Sequence, residues 1–160
     1  MLLYSRRSLF TLPLVLVACG FQPVYAPGGT GAKLQDQMLV DEPDTAEGYF
    51  LTRHIETRLG RGGDARYALG LNIAITEEGL AINELGDTTR FNLLGAVDYS
   101  LRDTQTGSVV SSGRVDGFTG YSTTGSTVAT LAAERDATER LMVILGDQII
   151  ARLFAVSLPE

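Results

Sequence analysis

From Tyr67 to Thr76 the sequence alternates without a break, with Tyr67, Leu69, Leu71, Ile73 and Ile75 on one side and Ala68, Gly70, Asn72, Ala74 and Thr76 on the other. A period of two is what a half-buried strand imposes, because successive side chains point to opposite faces of a sheet. The alternation returns over about 89–103. Phe91, Leu93, Val97, Tyr99 and Leu101 share one face there, and Arg90, Asn92, Asp98, Ser100 and Arg102 share the other. Two such strands ask for an apolar layer on one face and leave the opposite face more polar.

The neighbouring segments supply that layer. Gln35–Val40 reads as a short strand stopped by Asp41-Glu42-Pro43. Asp44 or Thr45 can cap a helix running to about Leu59, with Leu51, Ile55 and Leu59 at i, i+4 spacing, and Gly60–Asp64 closes it with a loop. Glu78-Gly79 reads as a turn, with Leu80–Asn83 extended briefly beyond it. Thr104–Ser108 is a hairpin loop, and Val109 to about Thr119 is the returning strand. If Asp103 pairs with Val109, Asp98 lies opposite Arg114 on the outer face and Val97 opposite Val115 on the inner, a charge pairing that adds about 0.2–1 kcal/mol. Gly95 and Gly113 then fall on the inner face, where a missing side chain lets a helix approach closely. Tyr121–Gly125 reads as a polar loop and Ser126 as an N-cap.

After Ser126, Val128, Leu131, Ala132, Leu141, Met142, Leu145, Ile149, Leu153 and Val156 recur at helical spacing. The pattern predicts a helix of about 30 residues and roughly 45 Å, longer than a small sheet requires. Gly146 within it costs near 1 kcal/mol relative to Ala and marks a close-packing point. The expected fold is α+β, with about four strands in a largely antiparallel or mixed sheet, two helices on one face and the C-terminal helix long.

The N-terminus has a different character. Arg6-Arg7 precede an apolar run from Leu9 to Ala18, the layout of a secretory signal, and about 20 apolar residues would be needed to span a bilayer. Leu16-Val17-Ala18-Cys19 has the form of a lipobox, in which Cys19 is lipidated and becomes the new N-terminus. It is the one Cys of the chain, so no intramolecular disulfide competes for it. Several acyl chains anchor stably where a single one is marginal. Gly20, rather than an Asp, follows, and the expected destination is the periplasmic side of an outer membrane. Arg6-Arg7 serve either as an ordinary basic n-region or as a twin-arginine export signal. Residues 1–18 are thus read as a cleaved signal peptide and 19–33 as a lipidated N-terminus with a flexible Gly/Pro linker. Residues 34–160 are read as a single domain. Phe21 and Tyr25 fall beside the anchor, where aromatic rings favour the membrane interface.

Charge and chemistry narrow the function. The formal charge of −6 over 160 residues becomes −8 when Arg6 and Arg7 leave with the signal. Such a domain is repelled by nucleic acid, and contact with an anionic lipid must rest on a local basic group. His54 is the single histidine, with no Cys or second His near it in sequence to share a metal. Ser122, in Gly120-Tyr121-Ser122-Thr123-Thr124-Gly125, misses the nucleophile-elbow spacing by one residue. Glu77 and Glu78 are adjacent and point to opposite faces of a strand. Neither an enzyme nor a cofactor is expected, beyond the covalent lipid on Cys19.

Several stretches resemble the LptE family of lipopolysaccharide-assembly lipoproteins, in its divergent alphaproteobacterial form. They are Cys19-Gly20-Phe21-Gln22-Pro23-Val24-Tyr25, Arg90-Phe91-Asn92-Leu93, and Tyr99-Ser100-Leu101-Arg102-Asp103 leading into Gly107. Gly120-Tyr121-Ser122 and Ala129-Thr130-Leu131-Ala132-Ala133-Glu134-Arg135-Asp136-Ala137 complete the set. The resemblance implies a small α+β lipoprotein seated in the LptD-type β-barrel of the outer membrane, helping that barrel assemble and assisting lipopolysaccharide delivery. It also implies lipopolysaccharide contact through basic residues of the sheet, here Arg90, Arg102 and Arg114. The other reading of those three is solvated strand charge, with Arg114 paired to Asp98. The alternative function is a periplasm-facing lipoprotein carrier or accessory subunit of another envelope lipid-transport system, which would need a concave apolar pocket. Lipidation is directly testable: Cys19→Ala is expected to abolish labelling of the chain by radioactive palmitate and to release it from the membrane fraction.

Overall fold

The computed structural model of the protein describes residues 24–158 except Thr124. The expected signal peptide, Cys19 and Phe21 lie outside the described residues. The elements within them are, in order, α1 (Thr30–Leu34), β1 (Met38–Val40), α2 (Ala46–Leu59), β2 (Tyr67–Ile82), β3 (Thr88–Asp103), β4 (Val109–Ser122) and α3 (Thr127–Phe154). They form an α+β fold with one four-stranded mixed sheet in the order β1-β2-β3-β4, in which β1 runs parallel to β2 and the other pairings are antiparallel. Both longer helices lie on one side of the sheet, and the core between the layers is built from Leu51, Ile55, Leu69, Val97, Leu101, Leu141, Leu145 and Ile149.

Local sequence accounts for the helix starts. Thr45 and Ser126 hold extended backbone and accept hydrogen bonds from the N–H groups of Gly48 and Ala129. Each satisfies one donor that the first turn leaves without an intrahelical partner. α3 has 28 residues, and its first turns, from Thr127 to about Ala132, stand clear of the core.

The β3–β4 register places Asp98 opposite Arg114 and Val97 opposite Val115, as the alternation requires. Val109 faces Arg102 rather than Asp103, because a bulge between Leu101 and Arg102 takes up one residue at the hairpin end. Gly95 pairs with Gly117, and together they seat α3. A Cβ at Gly95 would lie 2.9 Å from Leu141 Cδ2 and 3.0 Å from Leu145 Cδ1, and one at Gly117 would lie 3.3 Å from Ile144 Cγ2. Gly113 has a different neighbour from the helix expected there: its space is filled by the ring of Tyr99, directly opposite on β3. At Gly146 a Cβ would come within 2.7 Å of His54 Cδ2, so the glycine marks the close crossing of α2 and α3.

Three expectations change. β2 does not turn at Glu78-Gly79. It runs on to Ile82 through irregularities at Gly79 and Ala81, and the reversal comes at Asn83–Asp87, where Asn83 Oδ1 accepts from the N–H groups of Leu85 and Asp87. Tyr121 and Ser122, expected in a loop, are the last residues of β4. The Gly/Pro segment also differs from a free tether over its described part. Tyr25 packs edge-on against Phe154 at 5.5 Å, the Thr30 hydroxyl donates to the Val156 carbonyl at 3.0 Å, and Leu34 is buried. Gly95→Val is expected to destabilise the fold by about 2 kcal/mol through overpacking against Leu141 and Leu145, read as a lowered urea midpoint with unchanged slope.

Candidate functional site

The three arginines expected to face outward do so, but they differ in what they touch. Arg102 Nη2 lies 3.2 Å from Asp41 Oδ2, and Arg114 Nη1 lies 3.2 Å from Asp98 Oδ2. Both pairs are exposed, where such contacts contribute about 0–1 kcal/mol and remain open to exchange. Arg90 is also exposed, and its side chain makes no hydrogen bond or ion pair with any described residue. It stands opposite Ser122 on β4 and Ala81 on β2, at the end of the sheet where the β2–β3 hairpin projects past β4.

That projecting end exposes large apolar side chains beside the polar turn residues Asn83, Glu84 and Asp87. Leu80, Ile82 and Leu85 are 58%, 72% and 87% exposed. The first turns of α3 add Val128 and Leu131, both exposed, at the same end. Thr123 ties this end together, since its N–H donates to the Thr89 carbonyl and its hydroxyl to the Thr88 carbonyl. Scattered exposed apolar residues need no explanation, but a cluster at one end of a domain marks an interaction surface. Reading Glu78-Gly79 as a turn hid this end from the sequence. The available signal was Leu80 and Ile82, two apolar residues that resume a period of two past Gly79 but on even positions, one residue out of phase with Tyr67–Ile75, as a bulge would make them.

Behind the end, Phe91 and Tyr121 are paired across β3 and β4 with rings stacked at 5.4 Å. The Tyr121 hydroxyl donates to Glu77 Oε2 at 2.9 Å. Burial, then the hydrogen bond to Glu77, raises the Tyr121 phenol from 10.0 to about 12. At the opposite end, Asp103 Oδ1 accepts from the N–H groups of Gln105 and Thr106, and these bonds, Thr106 first, hold its carboxyl below the ordinary 3.8. His54 Nε2 lies 2.9 Å from Asp147 Oδ1, which joins α2 to α3. Among the described residues no group of three or more His, Cys, Asp or Glu side chains could hold a metal ion, and no helix is long and apolar enough to cross a membrane. Ser122 is exposed at the end of β4, opposite Arg90.

The family model described as LptE, lipopolysaccharide-assembly, matches residues 37–153, which takes in the chain from just before β1 almost to the end of α3. No curated protein sequence matches significantly. Among solved structures, a candidate lipoprotein of Caulobacter crescentus superposes with a TM-score of 0.67 at 26% identity, covering 79% of this chain and 93% of that one. The rare lipoprotein B of Shewanella oneidensis gives 0.56 at 10% identity, with 74% and 92% covered. A minor lipoprotein of Acinetobacter baumannii gives 0.52 at 15% identity, with 76% and 94% covered. At identities this low the latter two show a shared fold.

Burial of Tyr121, together with its bond to Glu77, sets an alkaline limit behind the hairpin end. Because the folded state raises the Tyr121 pKa from 10.0 to about 12, its contribution is complete below pH 10.0 and is lost as the pH rises through about 12. Urea unfolding across this window is expected to show falling stability in the native chain, and Tyr121→Phe is expected to flatten that fall.

Proposed function

The chain belongs to the LptE family of lipopolysaccharide-assembly proteins, and from that membership we propose that it is an outer-membrane lipoprotein in complex with an LptD-type β-barrel. In this role it supports assembly of the barrel and assists lipopolysaccharide transport to the outer membrane. The observation that carries the reading is the projecting end with its exposed Leu80, Ile82 and Leu85 and with Val128 and Leu131, on a domain whose central core is closely packed. A lipid carrier would need an enclosed apolar cavity of hundreds of Å³. Under the middle of α3 the space is filled instead, with Leu141 and Leu145 packed against Gly95 and Gly117, and the clefts of about 210, 280 and 470 Å³ at the α2 end of the domain are open and partly walled by acidic side chains. Tyr25 lies against Phe154, at the far end of α3 from Val128. A lipid on Cys19 would therefore hold one end of the domain and present the apolar end roughly 40 Å away, the length of α3.

Arg90 suits contact with a phosphorylated lipid at that end. It is exposed and has no partner among the described residues, so binding an anion does not first require breaking an ion pair. Arg102 and Arg114 would each have to leave a carboxylate. The net negative charge of the domain does not forbid such a contact, because charges beyond about 8 Å are largely screened at physiological salt.

The test is affinity purification of the tagged, lipidated chain from detergent-solubilised outer membrane, with mass identification of partners and assay of bound lipopolysaccharide. A β-barrel protein near one-to-one is expected. Arg90→Gln is expected to leave the barrel in place and lower the bound lipopolysaccharide about tenfold, the effect of losing one charge-assisted hydrogen bond. Recovery of the lipoprotein alone, or with inner-membrane transport components, would sink the reading.

A further inference from the structure

β2 is paired along its length with β3, but β1 covers its other side only at Tyr67, Ala68 and Leu69. The bonds at the covered end reveal which groups face that side. The Tyr67 N–H donates to the Gln37 carbonyl at 3.0 Å, and the Leu69 carbonyl accepts from the Asp41 N–H at 2.9 Å. Odd-numbered residues therefore turn their main chain toward this edge. The regular register with β3 carries the same alternation on through Leu71, Ile73, Ile75 and Glu77. None of the described residues hydrogen-bonds to those four on the open side.

The opposite edge of the sheet is treated differently. On β4, Gln148 Nε2 donates to the Asp116 carbonyl at 2.9 Å and Arg140 Nη2 to the Gly120 carbonyl at 3.3 Å. Side chains of α3 thus occupy acceptors that another strand would need, one of the ways proteins blunt an edge. No such cap lies along Leu71–Glu77.

Beside the open edge two clefts meet at Thr45 and Ile73. One, of about 210 Å³, is walled by Asp41, Glu42 and Asp44; the other, of about 280 Å³, is walled by Glu47 and Glu77 over a floor of Ile75 and Leu93. Neither is lined by a lysine or arginine. Asp41 is engaged by Arg102 and Glu77 by Tyr121, whereas Glu42, Asp44 and Glu47 have no partner among the described residues.

We propose that the edge of β2 from Leu71 to Glu77 is a strand-addition site for an extended, basic segment of a partner protein. Alternate residues of the segment would bond to the exposed main chain, its apolar side chains would enter the clefts, and its Lys or Arg side chains would meet the acidic wall. Main-chain bonds give such a complex its affinity, and the pockets give it specificity. A second copy of this chain is a poor occupant, because pairing β2 with β2 would bring one acidic wall against another. The site is separate from the hairpin end and from Arg90, and it does not depend on lipopolysaccharide.

The experiment uses the full lipidated chain in nonionic detergent with a synthetic peptide of about ten residues, a typical strand length or longer, alternating Val with Lys. Hydrogen exchange read by mass spectrometry is expected to slow at least about tenfold over Leu71–Glu77, the signature of newly protected amides. A peptide with Glu replacing Lys, and a Val/Lys peptide N-methylated at alternate residues, are both expected to give no protection. The exposed-loop variant Glu42→Lys/Asp44→Lys is expected to leave exchange of the free chain unchanged and to weaken peptide binding about tenfold. No protection by the Val/Lys peptide at about 1 mM, or equal protection by its N-methylated form, would overturn the proposal. So would protection of the same amides that grows with chain concentration in the absence of peptide, which would identify a second copy as the occupant.

Discussion

The fold depends on how closely α3 can lie on the β3–β4 ribbon. Gly95 and Gly117 sit directly opposite each other, and the notch left by their missing side chains receives Leu141, Ile144 and Leu145. Glycine weakens a strand by about 0.5–1 kcal/mol, whereas a buried leucine contributes about 1.5–3 kcal/mol, so the exchange favours the notch. α2 then depends on α3 more than on the sheet. Leu51 and His54 pack at Gly146, His54 bonds Asp147, and Arg53 pairs with Glu139. Loosening α3 would therefore release both helices rather than one.

The same seating closes one edge of the sheet and leaves the other open. α3 lies over β4, so Gln148 and Arg140 can reach its outward carbonyls. β2 is on the far side, where only the short β1 is available to pair with it. A sheet with one edge capped and the other flanked by acidic clefts is protected against pairing with itself by charge, while backbone groups remain open to a segment of opposite charge.

Much of this fold was legible in the sequence because its strongest determinants are local. Alternation over Tyr67–Thr76 and 89–103 gave two strands, Thr45 and Ser126 gave the helix starts, and charge complementarity gave the Asp98–Arg114 register. The failures came where a local signal was outweighed by pairing. Gly79 looks like a punctuation mark, yet β3 continues alongside it and the chain stays extended to Ile82. The docking of Tyr25 and Thr30 on Phe154 and Val156 joins residues more than 120 positions apart, which no local pattern announces. The candidate site was less legible still. Arg90, Arg102 and Arg114 look alike as outward strand residues. Only the fold brings Asp41 to Arg102, across 61 positions, and leaves Arg90 with no partner among the described residues.

That distribution of charge bears on how an acidic domain can serve lipopolysaccharide assembly. With Arg6 and Arg7 removed, the formal charge is −8, and most of the remaining described arginines lie within ion-pair distance of a carboxylate. Paired arginines project little field beyond a Debye length of about 8 Å, so most of the surface repels anionic head groups. An unpaired arginine beside exposed Leu80 and Ile82 offers a local point where a phosphate and an acyl chain can both be met. In the proposed role net repulsion and local attraction would act together: the first would suppress adhesion of the domain to anionic membrane surfaces at large, and the second would confine lipid contact to the projecting end. A more basic domain would bind such lipids more tightly and in more orientations, and would lose that restriction.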